Sequence, residues 1–534
     1  MIRNPILRGF NPDPSICRVG ADYYIATSTF EWYPGVQIHH SRDLANWRLV
    51  TRPLTRAAQL DMRGEPDSCG VWAPCLSHAD GQFWLIYTDM KRYDGNFKDS
   101  HNYLVTAPTI TGPWSDPVHL NSSGFDPSLF HDDDGRKWLL NQQWKHSTDS
   151  VGGRPRGTAF DGILLQEYDP VARHLTGPIT NVFAGSALSL VEGPHLHTRG
   201  GWYYLTTAEG GTGYDHAVTM ARARSIRGPY ELHPDTHLLT SRDAPDAPLQ
   251  RAGHGQIVET PDGETYHTHL CSRPLPGTRL SPLGRETAIQ KCVWRDDWLY
   301  LAHGGQVPAL EVPAPAGAAD PEADAPVGYR FDTPALPADF QWLRTPYPER
   351  LFTLTGEALR LHGRESIGSW FDQSLVARRQ QHHAYRAETR LAAFAPDSYQ
   401  QAAGLTTYYN RFKFHFLAIT HDAAAGRVLT ILSCPGDWPD GRLSFPLFRP
   451  VPLPDGPLDL AVEVRGPTQQ FFWRAGGEWQ PAGPALDASV ISDEGGRGEH
   501  GSFTGAFVGV AAFDTSGRAA TADFASFGYM PLSG

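Results

Sequence analysis

The chain has 534 residues, 40% of them hydrophobic, and a formal net charge of −12. That length exceeds what one hydrophobic core usually organises, and the apolar content is ample for two. The negative balance argues against nucleic acid or an anionic membrane as the main partner. No apolar stretch approaches bilayer length, and Met1-Ile2-Arg3-Asn4-Pro5 runs into the first repeat without an apolar leader, so a cytoplasmic protein is expected. The six cysteines form no CxxC pair and no metal-ligand spacing, and buried reduced thiols follow.

In chain order, one short pattern recurs five times over the first three hundred residues: a Pro- or Gly-flanked residue, an apolar strand, a Gly turn and an aromatic strand. The copies read NPDPSICRVGADYYIATS around Asp13, WAPCLSHADGQFWLIYTD around Ala73, FDPSLFHDDDGRKWLLNQ around Asp126, EGPHLHTRGGWYYLTTAE around Glu192 and GHGQIVETPDGETYHTHL around His254. A period of roughly 50 to 65 residues suits a propeller blade and is too long for the common helical solenoids. Apolar and polar residues alternate on both sides of turns such as Ala79-Asp80-Gly81 and Gly200-Gly201, the mark of a hairpin. Two hairpins per unit make a four-stranded blade, and five blades around an axis leave only short, protected edges. The fold class is therefore all-β, with a five-bladed β-propeller over residues 1–310.

A Pro/Ala/Gly-rich stretch without periodicity follows, and residues 311–328 read as a connector. From Tyr329 strand patterns return, as in Phe412–Leu417, Val428–Leu432 and Phe507–Ala511, with a spacing unlike that of the blades. Residues 329–534 are expected to form a separate β-sandwich.

Asp13, Asp126 and Glu192 each precede the apolar strand of their own repeat. One such Asp before Pro is most simply a turn residue. Three acids at equivalent positions should converge on one funnel at the mouth of the axis, where like charges in a partly dry pocket push their pKa values apart. One protonated and one ionised carboxyl is the pair that glycosidic cleavage requires. Trp72 and Ala73 offer a ring and a small methyl where a sugar could lie flat, and the 15 Trp and 20 Tyr residues suit both blade packing and sugar stacking.

The motifs NPDPS, GFDPS and VEGPH, in this order and in phase with the blades, resemble glycoside hydrolase family 43 and its two-domain β-xylosidases over nearly the whole chain. The resemblance implies Asp13 as general base, Glu192 as general acid and Asp126 as the group that tunes and orients the acid. It also implies inversion, with the two working carboxyl groups about 6.5 to 9.5 Å apart to admit water. By local motif, Arg285 is similar to the arginine that grips substrate hydroxyls, the alternative being a surface Arg paired with Glu286. Phe30 and Trp72 look like the walls of the glycone subsite, or else core packing. Trp144 and Thr212 are expected to line the pocket. His254 has two readings, as ligand to a divalent cation such as Ca2+ in the axial channel or as a neutral hydrogen-bond donor near the acids; no cofactor is required for the chemistry. The Gly-rich stretch His500-Gly501-Ser502-Phe503-Thr504-Gly505 would lean Phe503 over the pocket, so that only chain ends enter, unless Phe503 belongs to the sandwich core.

The expected activity is exo-release of xylose from β-1,4-xylooligosaccharides, by chains assembled as a homo-oligomer. The rival within enzymes is α-L-arabinofuranosidase; outside them stands a non-catalytic sugar-binding propeller, which has no need of three acids.

Overall fold

In the computed structural model, which describes residues 1–93, 97–147, 159–437, 440–496 and 502–533, nearly every element is a β-strand. Among the described residues no helix is long and apolar enough to cross a membrane. All six cysteines are buried and unbridged.

Five antiparallel sheets follow one another along the first three hundred residues. The first holds Ser15–Val19, Asp22–Thr27, Gln37–Ser41 and Arg48–Thr51, and the next three are built alike from Gly70, Ser128 and Glu192 onward. The turns that close the inner hairpins suit their sequences. Gly200 and Gly201 both take positive φ between the paired Arg199 and Trp202, the conformation that a two-residue loop needs to match strand twist. In each sheet the first strand stands at one edge. These edge strands contact one another in succession through the first four blades, and Ile257–Glu259 of the fifth meets Ser15–Val19 of the first. The ring is therefore closed.

The fifth blade departs from the four-strand expectation. Its inner edge is split into Gln250–Gly253 and Ile257–Glu259, both paired with Thr265–Ser272. Between them His254 has φ 41°, and a Cβ on Gly255 would lie 1.7 Å from the Thr268 carbonyl oxygen. The backbones approach so closely there that the ladder breaks into a bulge.

Closure uses the chain start. Leu7 and Thr287 exchange backbone hydrogen bonds of 3.2 and 3.1 Å, and the Asn4 side chain both donates to the Ile289 carbonyl and accepts from its amide. The Ser15 hydroxyl of the first blade donates to Gln256 of the fifth and accepts from the Leu76 amide of the second. One motif serine thus ties three blades together.

Two eight-stranded sheets form the sandwich, and the propeller contributes to one of them. Trp32–Tyr33 leaves the first blade and pairs antiparallel with Phe340–Leu343 at the sheet edge, while the Trp32 ring stacks on Phe507 with centroids 3.7 Å apart. The largest apolar cluster runs across this junction, from Val36, Leu60 and Val71 to Phe331, Val376 and Val510. In the connector stretch, Glu311–Val312 pairs with Ile2–Arg3, and Val327–Arg330 joins the last sandwich strand, Thr521–Pro531. Propeller and sandwich are packed as one body, because burying that shared apolar surface is worth roughly 25 cal/mol per Å2.

Candidate active site

A cavity of about 240 Å3 opens where the inner strands begin. Asp13, Asp126, Glu192, Phe30, Trp72, Thr212, His254, Arg285 and Phe503 line it, so the repeat-start positions do converge. Two expected residues stand outside the lining. Ala73 is buried behind it, where its backbone N–H donates to the Ser28 hydroxyl at 2.7 Å. Trp144 packs on Phe160 and Phe125, both of which do face the cavity. His500 and Gly501 of the Phe503 loop lie outside the described residues.

The fourth repeat is one residue out of step. Asp13, Ala73, Asp126 and His254 all have positive φ, which aims the side chain off the strand direction. In the fourth copy that conformation falls on Gly193 (φ 56°), and Glu192 precedes it. Strand register agrees: Ser15, Cys75, Ser128 and His195, each two residues after the left-handed position, begin the regular pairing with the second strand. A Cβ at Gly193 would lie 2.8 Å from the His254 ring. Steric exclusion by that ring explains why the acid stands one place earlier.

Asp13 is held on both oxygens. Ser28 Oγ donates to Oδ2 at 2.6 Å and Arg285 Nη1 to Oδ1 at 3.0 Å, while His254 Nδ1 lies 3.6 Å from Oδ1. Since Ser28 itself accepts from the Ala73 amide, a short relay from the second blade fixes the carboxylate's orientation. Asp126 Oδ2 accepts from the Gly193 amide at 3.1 Å, which ties the third blade to the residue beside Glu192. Burial, and then the like charges of Glu192 and Asp13, push the Asp126 carboxyl well above the usual range. Glu192 is pushed up to about 8, by burial first and by Asp13 second, against the opposing pull of Arg285 and Lys98. A carboxyl in that state is a proton donor at neutral pH.

Arg285 is 2% exposed and points inward. Beyond Asp13 it donates from Nη2 to the Phe503 carbonyl at 2.9 Å. Glu286, the neighbour of the surface reading, is engaged elsewhere: it accepts from Arg273 at 2.6 and 2.8 Å and from the Gly9 amide at 2.7 Å. Arg285 stands just before the strand Glu286–Arg295, and the two neighbours take different partners.

His254 is buried, and that burial lowers its pKa despite the pull of Asp13, so it is neutral at neutral pH. A protein-built metal centre does not fit here. His254 brings one donor toward a carboxylate already taken by Arg285 and Ser28, and among the described residues no group of three or more His, Cys, Asp or Glu side chains could hold an ion.

Aromatic rings form the walls. Phe30, with φ 51°, exchanges backbone hydrogen bonds with Val71, and its ring lies 5.6 Å from that of Trp72. Phe503, from the sandwich, meets Trp72 at 6.2 Å and Tyr93 at 5.5 Å while also packing against the Phe10–Trp32–Phe507 core. It serves wall and core together. Thr212 is held by Arg251 Nε, which donates to its carbonyl at 2.9 Å.

Tyr93, Lys98, Phe125, Phe160 and Gly211 complete the lining and were not expected. Phe125 stands beside Asp126 in GFDPS and could have been found there. Lys98 and Tyr93 themselves stand outside any strand, and the sequence around them carries no periodic signal. The Lys98 ammonium sits 4.5 Å from the centroid of Trp144 and 5.2 Å from that of Tyr93, where its charge favours the ionised form of Glu192.

Comparison with known proteins bears on this geometry. Residues 2–299 match Glycosyl hydrolases family 43, and residues 329–530 match the Beta xylosidase C-terminal Concanavalin A-like domain. The chain is 58% identical to Xylosidase/arabinosidase 43B of Humicola insolens over 99% of its length and 98% of the relative's. It is 44% identical to a Xylan 1,3-beta-xylosidase of a Vibrio species, covering 99% of each. The crystal structure of xylan beta-1,4-xylosidase from Bacillus halodurans C-125 superposes with a TM-score of 0.94 at 49% identity, covering 99% of this chain and 100% of that one. With its propeller matched from end to end and its sandwich matched beside it, the chain belongs to glycosyl hydrolase family 43.

Proposed function

We propose that the protein is an exo-acting, inverting β-xylosidase that releases xylose from the non-reducing ends of β-1,4-xylooligosaccharides. The observation that carries this reading is the meeting of three carboxyl groups and a buried guanidinium in one small cavity walled by aromatic rings. At about 240 Å3 the space falls below the range of drug-sized ligand pockets and suits a single sugar unit. Aromatic walls suit the apolar face of a pyranose.

In this reading Asp13 takes a proton from a water molecule as the water oxygen attacks the anomeric carbon. Glu192 gives its proton to the glycosidic oxygen as the C–O bond breaks, and exchange with solvent restores both groups. Asp126, through the Gly193 amide, orients the backbone that carries Glu192. Arg285 holds Asp13 and would reach the sugar hydroxyls beside it. No step requires a cofactor.

The anomeric proton of the first-formed sugar from xylobiose, followed by NMR, tests the reading. Initial α-xylose is expected; initial β-xylose would refute inversion, and no xylose would refute the substrate. A second reading, α-L-arabinofuranoside hydrolysis, is favoured by the similarity to the Humicola xylosidase/arabinosidase, and kcat/KM on the two aryl glycosides ranks them. The relatives' names differ in linkage too, so xylobioses of both linkages belong in that comparison.

The Glu192 acid also sets a pH limb. A proton donor with its pKa raised to about 8 is fully protonated well below that pH and loses its proton above it. Thus the alkaline side of the kcat/KM profile should begin to fall only near pH 8 and drop about tenfold per unit well above it, an apparent value that belongs to the coupled acids together. An alkaline limb displaced down to near pH 5 would mean that the donor is not a raised carboxyl.

A further inference from the structure

Ser68 has no place in the chemistry, yet it sits where three parts of the site meet. It is fully buried with φ 60°, a conformation that glycine adopts freely and serine does not. Two residues on, Gly70 occupies a similar conformation (φ 88°), where a Cβ would lie 2.4 Å from the Phe30 carbonyl oxygen. The loop thus has glycine where space demands it and keeps a hydroxyl at Ser68 despite the backbone.

Every polar atom of Ser68 is used. Its carbonyl accepts from the Trp72 indole at 2.9 Å, its hydroxyl accepts from the Phe503 amide at 3.1 Å, and its amide donates to Glu31 Oε2 at 3.1 Å. Glu31 is fixed in turn from the sandwich: the Arg344 amide donates to its carbonyl at 2.9 Å, while the Arg344 guanidinium donates to Asp67 at 2.8 Å and to the Glu65 carbonyl at 2.7 Å. Since Arg285 donates to the Phe503 carbonyl, both polar backbone atoms of Phe503 are held by propeller side chains.

We infer that Ser68 is a positioning residue that sets substrate affinity by holding the Phe503 ring of the sandwich against Trp72 of the propeller. The inference rests on the glycosidase reading above. Phe503 stands on the wall with an apolar ring that neither gives nor takes a proton, so its contacts with substrate should be alike in ground and transition states, and losing them raises KM rather than lowering kcat.

Two variants test this. Ser68→Ala removes only the hydroxyl, and Ser68→Gly also relaxes the backbone. Both are expected to raise KM for xylobiose about 3- to 10-fold, the scale of one hydrogen bond, with kcat within about twofold of wild type. Ser68→Gly should keep or raise the thermal midpoint. In a Phe503→Ala background either change should have no further effect on KM, because the ring it places is gone. Hydrogen exchange of the segment from Ser502 to Ala506, which needs no substrate, should quicken in Ser68→Ala. An unchanged KM, a fall in kcat alone, effects that add to Phe503→Ala, unchanged exchange, or loss of folding in both variants would each overturn the role. An inactive wild type would sink the glycosidase reading, and the exchange result would then still decide whether Ser68 places Phe503.

Discussion

Glu192→Gln is expected to lower kcat for xylobiose by about 10²- to 10⁴-fold, the usual contribution of a general acid. The amide keeps the side chain's shape but has no proton to give. Because the poor leaving group of xylobiose depends on that proton, the loss should be largest there. A 2,4-dinitrophenyl xyloside, whose leaving group departs as a stable anion, should lose only about tenfold or less. Steady-state kinetics on the two substrates measures the difference, and equal losses on both would take the acid's role away from Glu192. The alkaline limb near pH 8 should vanish in this variant, since the titrating carboxyl is the one replaced.

Asp13→Asn is expected to be equally severe and to discriminate less. A base that activates water is needed whatever the leaving group, so xylobiose and the dinitrophenyl xyloside should both fall by about 10²- to 10⁴-fold. Asn is preferred to Ala because Asp13 is buried and paired with Arg285 at 3.0 Å; deleting it outright would leave that guanidinium without its partner and confuse a loss of stability with a loss of chemistry. Asp13 is also the like charge that helps hold the Glu192 proton, so the substitution should lower the Glu192 pKa. Carboxyl-carbon NMR of glutamate-labelled protein reads that shift. An unmoved or raised pKa would show that burial alone accounts for the elevation.

The positions of the acids were legible because a blade is built from local hairpins. The period of alternating residues and Gly turns marks each inner strand, and closure of the ring carries equivalent positions to one mouth. The limit of that logic shows at Glu192. The repeat aligns by its prolines, and Pro194 assigns the left-handed position to Gly193, so Glu192 stands one place ahead of the positions that Asp13 and Asp126 occupy. Arg285 illustrates another limit. From the strand pattern alone it could pair with Glu286 or face the acids, and only the similarity of its motif favoured the second; the structure buries it against Asp13 and gives Glu286 to Arg273.

Sequence alone carried the all-β class, the five blades, the following sandwich and the candidacy of Asp13, Asp126 and Glu192. These rest on interactions between residues close in the chain, which leave a periodic trace. Tertiary structure alone decided the strand exchange of Trp32–Tyr33 with Phe340–Leu343, the boxing of Lys98 among rings, the split fifth blade and the Ser68–Phe503 hydrogen bond across 435 residues. Contacts between segments so far apart depend on how whole sheets pack, and packing leaves no period in the sequence.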